Sequence, residues 1–187
     1  MPTSSGGNFS AIWKGFKEFY ELGLIDKLPR MVCVQSEGCA PIVEAFKNKS
    51  ELKHWSNPQT ITHSISNPNP ILASGRRVLR ILDECEGLAV AVSDEEILGA
   101  QKQLAVMEGL FVEPASAATV AGLKKLVEKG VIDGDEKVVC VLTGFGLKDT
   151  KVIKRHVKEP ISVKSWSQFR EILNALMKGV KAAPSTR

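Results

Sequence analysis

Residues Ser4, Ser5, Gly6, Gly7 and Asn8 are the run best matched by type to a piece of chemistry. Paired glycines let a backbone turn tightly and approach a ligand closely. Ser4, Ser5 and Asn8 add side-chain donors. Apolar residues at Ile12, Phe16, Phe19 and Tyr20 predict a helix from Asn8 to Leu22, stopped by Gly23. Its unpaired N–H groups and positive dipole end would point back at the loop. The combination suits a phosphate dianion. A plain Gly/Ser turn with a polar helix cap has the same composition, so the residues alone leave both readings open. No Gly-Lys-Ser/Thr follows the loop, and no G-x-G-x-x-G occurs, which removes the two commonest nucleotide loops.

Two further junctions carry polar groups. Thr143 ends the run Val138 to Leu142, the most strand-like in the chain, and Gly144, Phe145 and Gly146 follow it. A hydroxyl there could bond a heterocycle nitrogen; it could also be a threonine in a Gly-rich turn. Glu113 precedes Pro114, a proline suited to the first position of a helix, with small residues behind it. A carboxylate at that place serves either a pocket or the helix start. His54, His63 and His156 have no partners at ligand spacing and read as loop histidines. The four cysteines form no C-x-x-C pair, and Cys33 and Cys140 lie inside apolar runs, as buried small hydrophobes do. Lys14 reads as a surface residue of the first helix.

The elements that must position these groups alternate. Arg30 to Gln35 and Leu88 to Val92 read as buried strands, and Leu110 to Val112 as a short one. Ala40 to Lys47 and Ser74 to Glu84 read as helices. Ser93 and Glu96 form a capping box that opens a helix to about Glu108. Pro114 opens another that ends at Gly130. Asn48 to Pro70 lacks periodicity, which marks a functional or mobile stretch. A last helix, with Ser165 as cap and Gln168 in the boxed position, carries Trp166, Phe169, Leu173, Leu176 and Val180 on one stripe. Apolar strands separated by helices argue for an α/β fold: an open, mostly parallel sheet with helices on both faces. Ligands bind such sheets at the carboxyl ends of the strands, where the Ser4 loop, Glu113 and Thr143 fall.

The 187 residues suit one sizeable core, and the net charge of +4 is not gathered into a stripe interleaved with aromatics. Nucleic-acid binding is therefore not indicated. The densest basic cluster, Lys151, Lys154, Arg155 and Lys158, reads as a solvated surface segment. No apolar run approaches the roughly 20 residues of a membrane span, and the cysteine pattern fits a reducing compartment. Both point to a cytoplasmic protein.

In combination, SSGGN with its AIWKGF helix, GLFVEPASAATVAGLKKL and VVCVLTGFGLKD resemble the threonine synthase family. MVCVQSEGCAPIVEAF and GLAVAVSDEEILGAQKQLA extend the resemblance, which runs from about Pro2 to Asp149. It implies a fold type II pyridoxal-phosphate enzyme, a lyase of amino-acid biosynthesis that converts O-phosphohomoserine and water to threonine and phosphate. It implies that Ser4, Ser5, Gly6, Gly7 and Asn8 hold the phosphate of pyridoxal 5'-phosphate and that Thr143 faces the pyridine nitrogen. Glu113 and Gly144 would line the pocket, and Ser64 to Pro68 would lie near the cofactor. Phe145 stands where His or Asn is common in the family.

The family's Schiff-base lysine lies well before the phosphate loop, and no residue of this chain matches it. The expectation is a C-terminal half, inactive alone, that lacks its amino-terminal lobe; the complete enzyme would be a homodimer acting on a small amino-acid substrate. Residues 1–150 would form the cofactor lobe and 151–187 an extension ending in the amphipathic helix. A cysteate synthase, an amino-acid dehydratase, a tryptophan synthase β-like protein and a non-catalytic remnant are the alternatives.

Overall fold

The structure is a computed structural model that describes residues 1–70, 74–153, 157 and 160–180. The chain divides into two compact units, Met1–Ile153 and Lys154–Arg187. In the first unit the elements run α1 (Gly7–Glu21), β1 (Val32–Ser36), α2 (Pro41–Asn48), α3 (Gly75–Glu84), β2 (Leu88–Val92), α4 (Asp94–Met107), α5 (Pro114–Glu128) and the single turn α6 (Thr150–Ile153). The second unit holds α7 (Trp166–Val180).

β1 and β2 pair in parallel, Val32 opposite Leu88 through Ser36 opposite Val92. On the other side of β1, the Thr3 N–H donates to the Val34 carbonyl at 2.9 Å and the Val34 N–H to the Met1 carbonyl at 3.0 Å. Met1–Thr3 therefore lies beside β1 in a parallel bridge, and β1 is central. Side chains alternate along these strands, so the sheet serves two cores. Val34, Val90 and Val92 pack with α4 and α5 on one face. Cys33 and Ala89 pack with α1, α2 and α3 on the other. This is the α/β arrangement expected, with a small parallel sheet covered on both faces. Gly122 lets α5 lie close to the sheet: a Cβ there would come 2.9 Å from Val34 Cγ2 and 3.2 Å from Val90 Cγ1.

Local signals account for the helix boundaries. Ser93 and Glu96 close both bonds of the capping box, at 3.2 and 2.6 Å. Pro41 and Pro114 stand in the first turns of α2 and α5. Gly23, Gly109 and Gly130 take positive φ just beyond helix ends. At α7 the Gln168 N–H donates to Ser165 Oγ as expected, but the Gln168 side chain accepts from the Lys164 N–H, one residue earlier than a capping box would place it. Trp166 and Phe169 stack at 5.2 Å, and Leu173 and Leu176 share their exposure to solvent; the Val180 side chain lies outside the described residues. So do Lys154, Arg155, His156 and Lys158.

Two expected strands do not form. Val138 to Leu142 has no ladder partner among the described residues, and Val139 is 86 % exposed. Apolar, β-branched composition favours a strand only where a neighbouring edge offers hydrogen bonds. Leu110 to Val112 is reduced to one antiparallel bridge, Val112 to Phe145.

Candidate functional site

Thr3 leaves the sheet and the chain turns at once into the Ser4–Asn8 loop. Gly6 makes the turn: its φ is +91°, and a Cβ there would overlap Val78 Cγ2. Gly7 differs. It is the first residue of α1, it is exposed, and a Cβ on it would meet nothing within 4 Å. The turn therefore needs Gly6, whereas Gly7 keeps the space in front of the helix open. No side chain caps α1, so the N–H groups of its first turn face that space.

The loop is fixed from behind. Gln35, fully buried on β1, donates to the Thr3 carbonyl at 3.2 Å. Its Oε1 accepts from the Ile42 and Val43 N–H groups at 2.9 and 3.1 Å, which caps α2. From the other side, Asn67 Nδ2 donates to Ser5 Oγ at 3.0 Å, and the Ser74 N–H donates to the Ser5 carbonyl at 3.1 Å. The irregular stretch before α3 is tied down too. Thr60 donates to Asp94 Oδ1 at 2.6 Å, and the Ile61 N–H donates to Asp94 Oδ2 at 3.0 Å.

A second wall forms where residues 111–113 meet 144–146. The Glu113 N–H donates to the Gly144 carbonyl at 3.0 Å and the Gly146 N–H to the Phe111 carbonyl at 2.9 Å. Phe111 and Phe145 rings meet edge to face at 6.3 Å. Ser116, fully buried in the first turn of α5, gathers the Thr143 turn: it bonds Thr143 Oγ1 at 3.2 Å and accepts from the Gly144 N–H at 2.6 Å. Glu113 precedes α5 but does not cap it with its side chain. Its carboxylate instead accepts from Ser64 Oγ at 3.0 Å and pairs with Lys148 Nζ at 3.2 Å. A Cβ on Gly144 would overlap that carboxylate, so a larger residue there would push Glu113 out of this position.

These walls border an open cleft of about 420 Å³ lined by Pro2–Phe9, Ser64, Ile65, Glu113, Ala115, Thr143 and Lys148. Ser4–Asn8, Glu113 and Thr143 thus meet in one space at the carboxyl end of the sheet. Gly144 stands behind Glu113 rather than in the lining. A second cavity of about 360 Å³ adjoins it, sharing Ser64, Glu113, Ala115 and Lys148. His63 lines this second cavity. Lys14 is on the surface, paired with Glu18 one turn on. Among the described residues no group of His, Cys, Asp or Glu could hold a metal ion.

Sequence reasoning missed Ser116, Lys148 and Gln35. Ser116 carried a signal, as a hydroxyl set between alanines in the first turn of α5. Lys148 looked like an ordinary charged turn residue. Nothing local marks Gln35, whose partners are distant in sequence.

The Cys33 thiol is pushed up to about 11 by burial in the core under α1 and α2. It is therefore a neutral packing group at physiological pH. The Glu84 carboxylate is held below its ordinary value by bonds from Lys17 and the Trp13 indole, which join α1 to α3.

Comparison with known proteins agrees with this architecture. Over 164 residues the chain is 50 % identical to the threonine synthase of Methanocaldococcus jannaschii, which covers 87 % of this chain and 40 % of that protein. It is 48 % identical to that of Methanosarcina acetivorans over the same length, and 44 % identical over 149 residues to that of Mycobacterium tuberculosis. The chain spans about two fifths of the length of these relatives. Among solved structures, a fungal L-serine ammonia-lyase from Rhizomucor miehei superimposes with a TM-score of 0.62 at 18 % identity, covering 83 % of this chain and 49 % of that one. Threonine deaminase isoform 2 from Solanum lycopersicum gives 0.61 at 16 %, covering 92 % and 42 %. At such identities the likeness is one of fold, that of fold type II pyridoxal-phosphate enzymes. The family model for "Pyridoxal-phosphate dependent enzyme" matches residues 1–144, and with the threonine synthase relatives it shows that the chain belongs to the pyridoxal-phosphate dependent enzymes.

Proposed function

We propose that these residues form the cofactor-phosphate lobe of a threonine synthase, a lyase that turns O-phosphohomoserine and water into threonine and inorganic phosphate. The observation that carries the reading is the convergence of the Ser4–Asn8 loop, Thr143 and the uncapped start of α1 on one cavity. The relatives share the name threonine synthase, and the family resemblance supplies the reaction.

The donor set fits a phosphate group. The first-turn N–H groups of α1 have no carbonyl partner among the described residues, and Ser4 and Ser5 line the same cavity. Gly7 leaves their approach clear. An anion at a helix start gains about 0.3–1 kcal/mol from the dipole alone, and up to about 2 when partly buried. Asn67 and Gln35 hold the loop in this form before any ligand arrives, so little ordering is needed on binding. Thr143 reaches the same cavity with its hydroxyl anchored by Ser116. A neutral hydroxyl can share a hydrogen bond with a pyridine nitrogen without giving it a full proton. When bound, pyridoxal phosphate supplies an electron sink for charge that develops on substrate carbon. In this reading Ser4, Ser5, Gly6, Gly7, Asn8 and Thr143 are cofactor-binding residues, and Glu113 shapes the pocket wall through Gly144.

No lysine among these 187 residues takes the Schiff-base place that the family resemblance implies, so phosphate release from O-phosphohomoserine is not expected of this chain by itself. The same reading takes a small amino-acid substrate, a homodimeric whole protein and a cytoplasmic setting. No helix among the described residues is long and apolar enough to cross a membrane. Residues 1–150 act as the cofactor lobe and 151–187 as its extension. Titration calorimetry of the chain with pyridoxal phosphate tests the proposal: saturable binding that weakens on Asn8→Ala supports it. No binding, or binding indifferent to Asn8 and Gly7, overturns it.

A further inference from the structure

The partition between the two cavities carries a cation. Lys148 Nζ lies 3.2 Å from Glu113 Oε2 and bonds Ser64 Oγ, also at 3.2 Å. Its side chain is 62 % exposed while that of Glu113 is 6 % exposed. The carboxylate thus forms the base of the partition and the ammonium its accessible edge. Among the described lining residues, Lys148 is the one cation common to both cavities.

The rest of the larger cavity offers neutral donors. Backbone N–H groups and hydroxyls of Ser4–Asn8 suit one phosphate, and the cofactor's own phosphate would take them. A substrate amino acid that meets the cofactor through its amine keeps a second, anionic end to be placed. The second cavity, about 360 Å³, has room for it and adds Lys151 and His63 to its wall. Its carboxylates are Glu113, already engaged, and Asp149.

We propose that Lys148 receives the anionic substituent of a phosphorylated amino-acid substrate, with the second cavity as the chamber for that substituent. Glu113 and Ser64 act as positioning residues that hold the ammonium at the junction. Anchored on both sides, it meets the incoming anion without losing rotamer freedom at that moment. This rests on the cofactor reading above.

The test uses the whole 187-residue chain with saturating pyridoxal phosphate, titrated with O-phosphohomoserine and, as the counterpart without the phosphate, homoserine. The parent should prefer the phosphorylated ligand. Lys148→Gln should weaken O-phosphohomoserine at least ten-fold and change homoserine less than two-fold, both at saturating pyridoxal phosphate; Lys148→Arg should keep the preference. In the parent chain itself, the Lys148 ε-methylene NMR signal should move with O-phosphohomoserine and stay still with homoserine. That measurement decides the matter even where the glutamine variant fails to fold. A glutamine variant that retains the preference, a parent without one, or an unmoved signal overturns the proposal while pyridoxal phosphate binding stands. A parent that does not bind pyridoxal phosphate removes the cofactor reading itself, and this inference with it.

Discussion

Replacing Gly7 by alanine probes the phosphate loop without disturbing the fold around it. The new Cβ meets no protein atom within 4 Å, and Gly7 already sits in a helix. Removing a glycine there lowers the entropy of the unfolded chain and should stabilise by about 0.4–1 kcal/mol. For a chain of this size that raises Tm by about 1–4 °C. If the loop holds a phosphate, the same methyl group narrows its approach to the α1 N–H groups. Losing one hydrogen bond to a charged group costs about 1.5–3 kcal/mol, or roughly 10- to 150-fold in affinity. Gly6→Ala should do the reverse. Its left-handed φ costs an alanine about 1–2 kcal/mol, and the overlap with Val78 adds about 1–3 kcal/mol. The total of about 2–5 kcal/mol lowers Tm by roughly 4–20 °C. Thermal unfolding and calorimetry with pyridoxal phosphate on the three proteins separate the two roles. A stable Gly7→Ala chain that binds as tightly as the parent would refute the loop as a phosphate site. An unchanged Tm for Gly6→Ala would refute the packing argument.

Other perturbations follow from the same contacts. Gln35→Leu strips partners from the Thr3 carbonyl and from two N–H groups of α2, and should cost about 2–4 kcal/mol in urea unfolding; a loss under about 0.5 kcal/mol would mean those groups find water. Gly144→Ala drives its Cβ into the Glu113 carboxylate and should cost about 1–3 kcal/mol, most of it recovered when Glu113 is also alanine; simple additivity would place the strain elsewhere. Cys33 has a thiol near 11 in the folded chain against an ordinary 9.0. Above pH 9 the unfolded chain sheds a proton that the folded chain keeps, so stability is full below that pH and falls towards pH 11, by about 3 kcal/mol at most. Stability curves of Cys33→Val should lack this slope; a slope that persists belongs to another group.

What could be read from the sequence was local. Helix ends at Pro41, Ser93, Pro114 and Gly130, and the turn at Gly6, follow from residues within a few positions of each other. The three junctions that meet in the cavity were visible because polar groups and glycines interrupt apolar runs there. Partners across the chain were not legible. Ser116 shows its role only when the Thr143 turn lies over it, and Lys148 only when the 60–65 stretch brings Ser64 to Glu113. Val138 to Leu142 misled for the same reason in reverse. Its composition suits a strand, but a strand also needs an edge to bond, and that is a property of the assembled unit.

The larger cavity has a further consequence in the order of folding. Its walls come from Pro2–Phe9, from Ser64 and Ile65, from Glu113 and Ala115, and from Thr143 and Lys148. Bringing such distant segments together carries a large loop-closure entropy, so the cavity is expected to complete late, after helices and local turns have formed. A ligand of this cavity then has nothing to hold in the transition state. At about 100 times its Kd it would add about 2.7 kcal/mol to the folded state, all of it in slower escape. Pyridoxal phosphate should retard unfolding by roughly 100-fold and leave the folding rate alone, acting as a clasp on a finished structure rather than a template for an unfinished one.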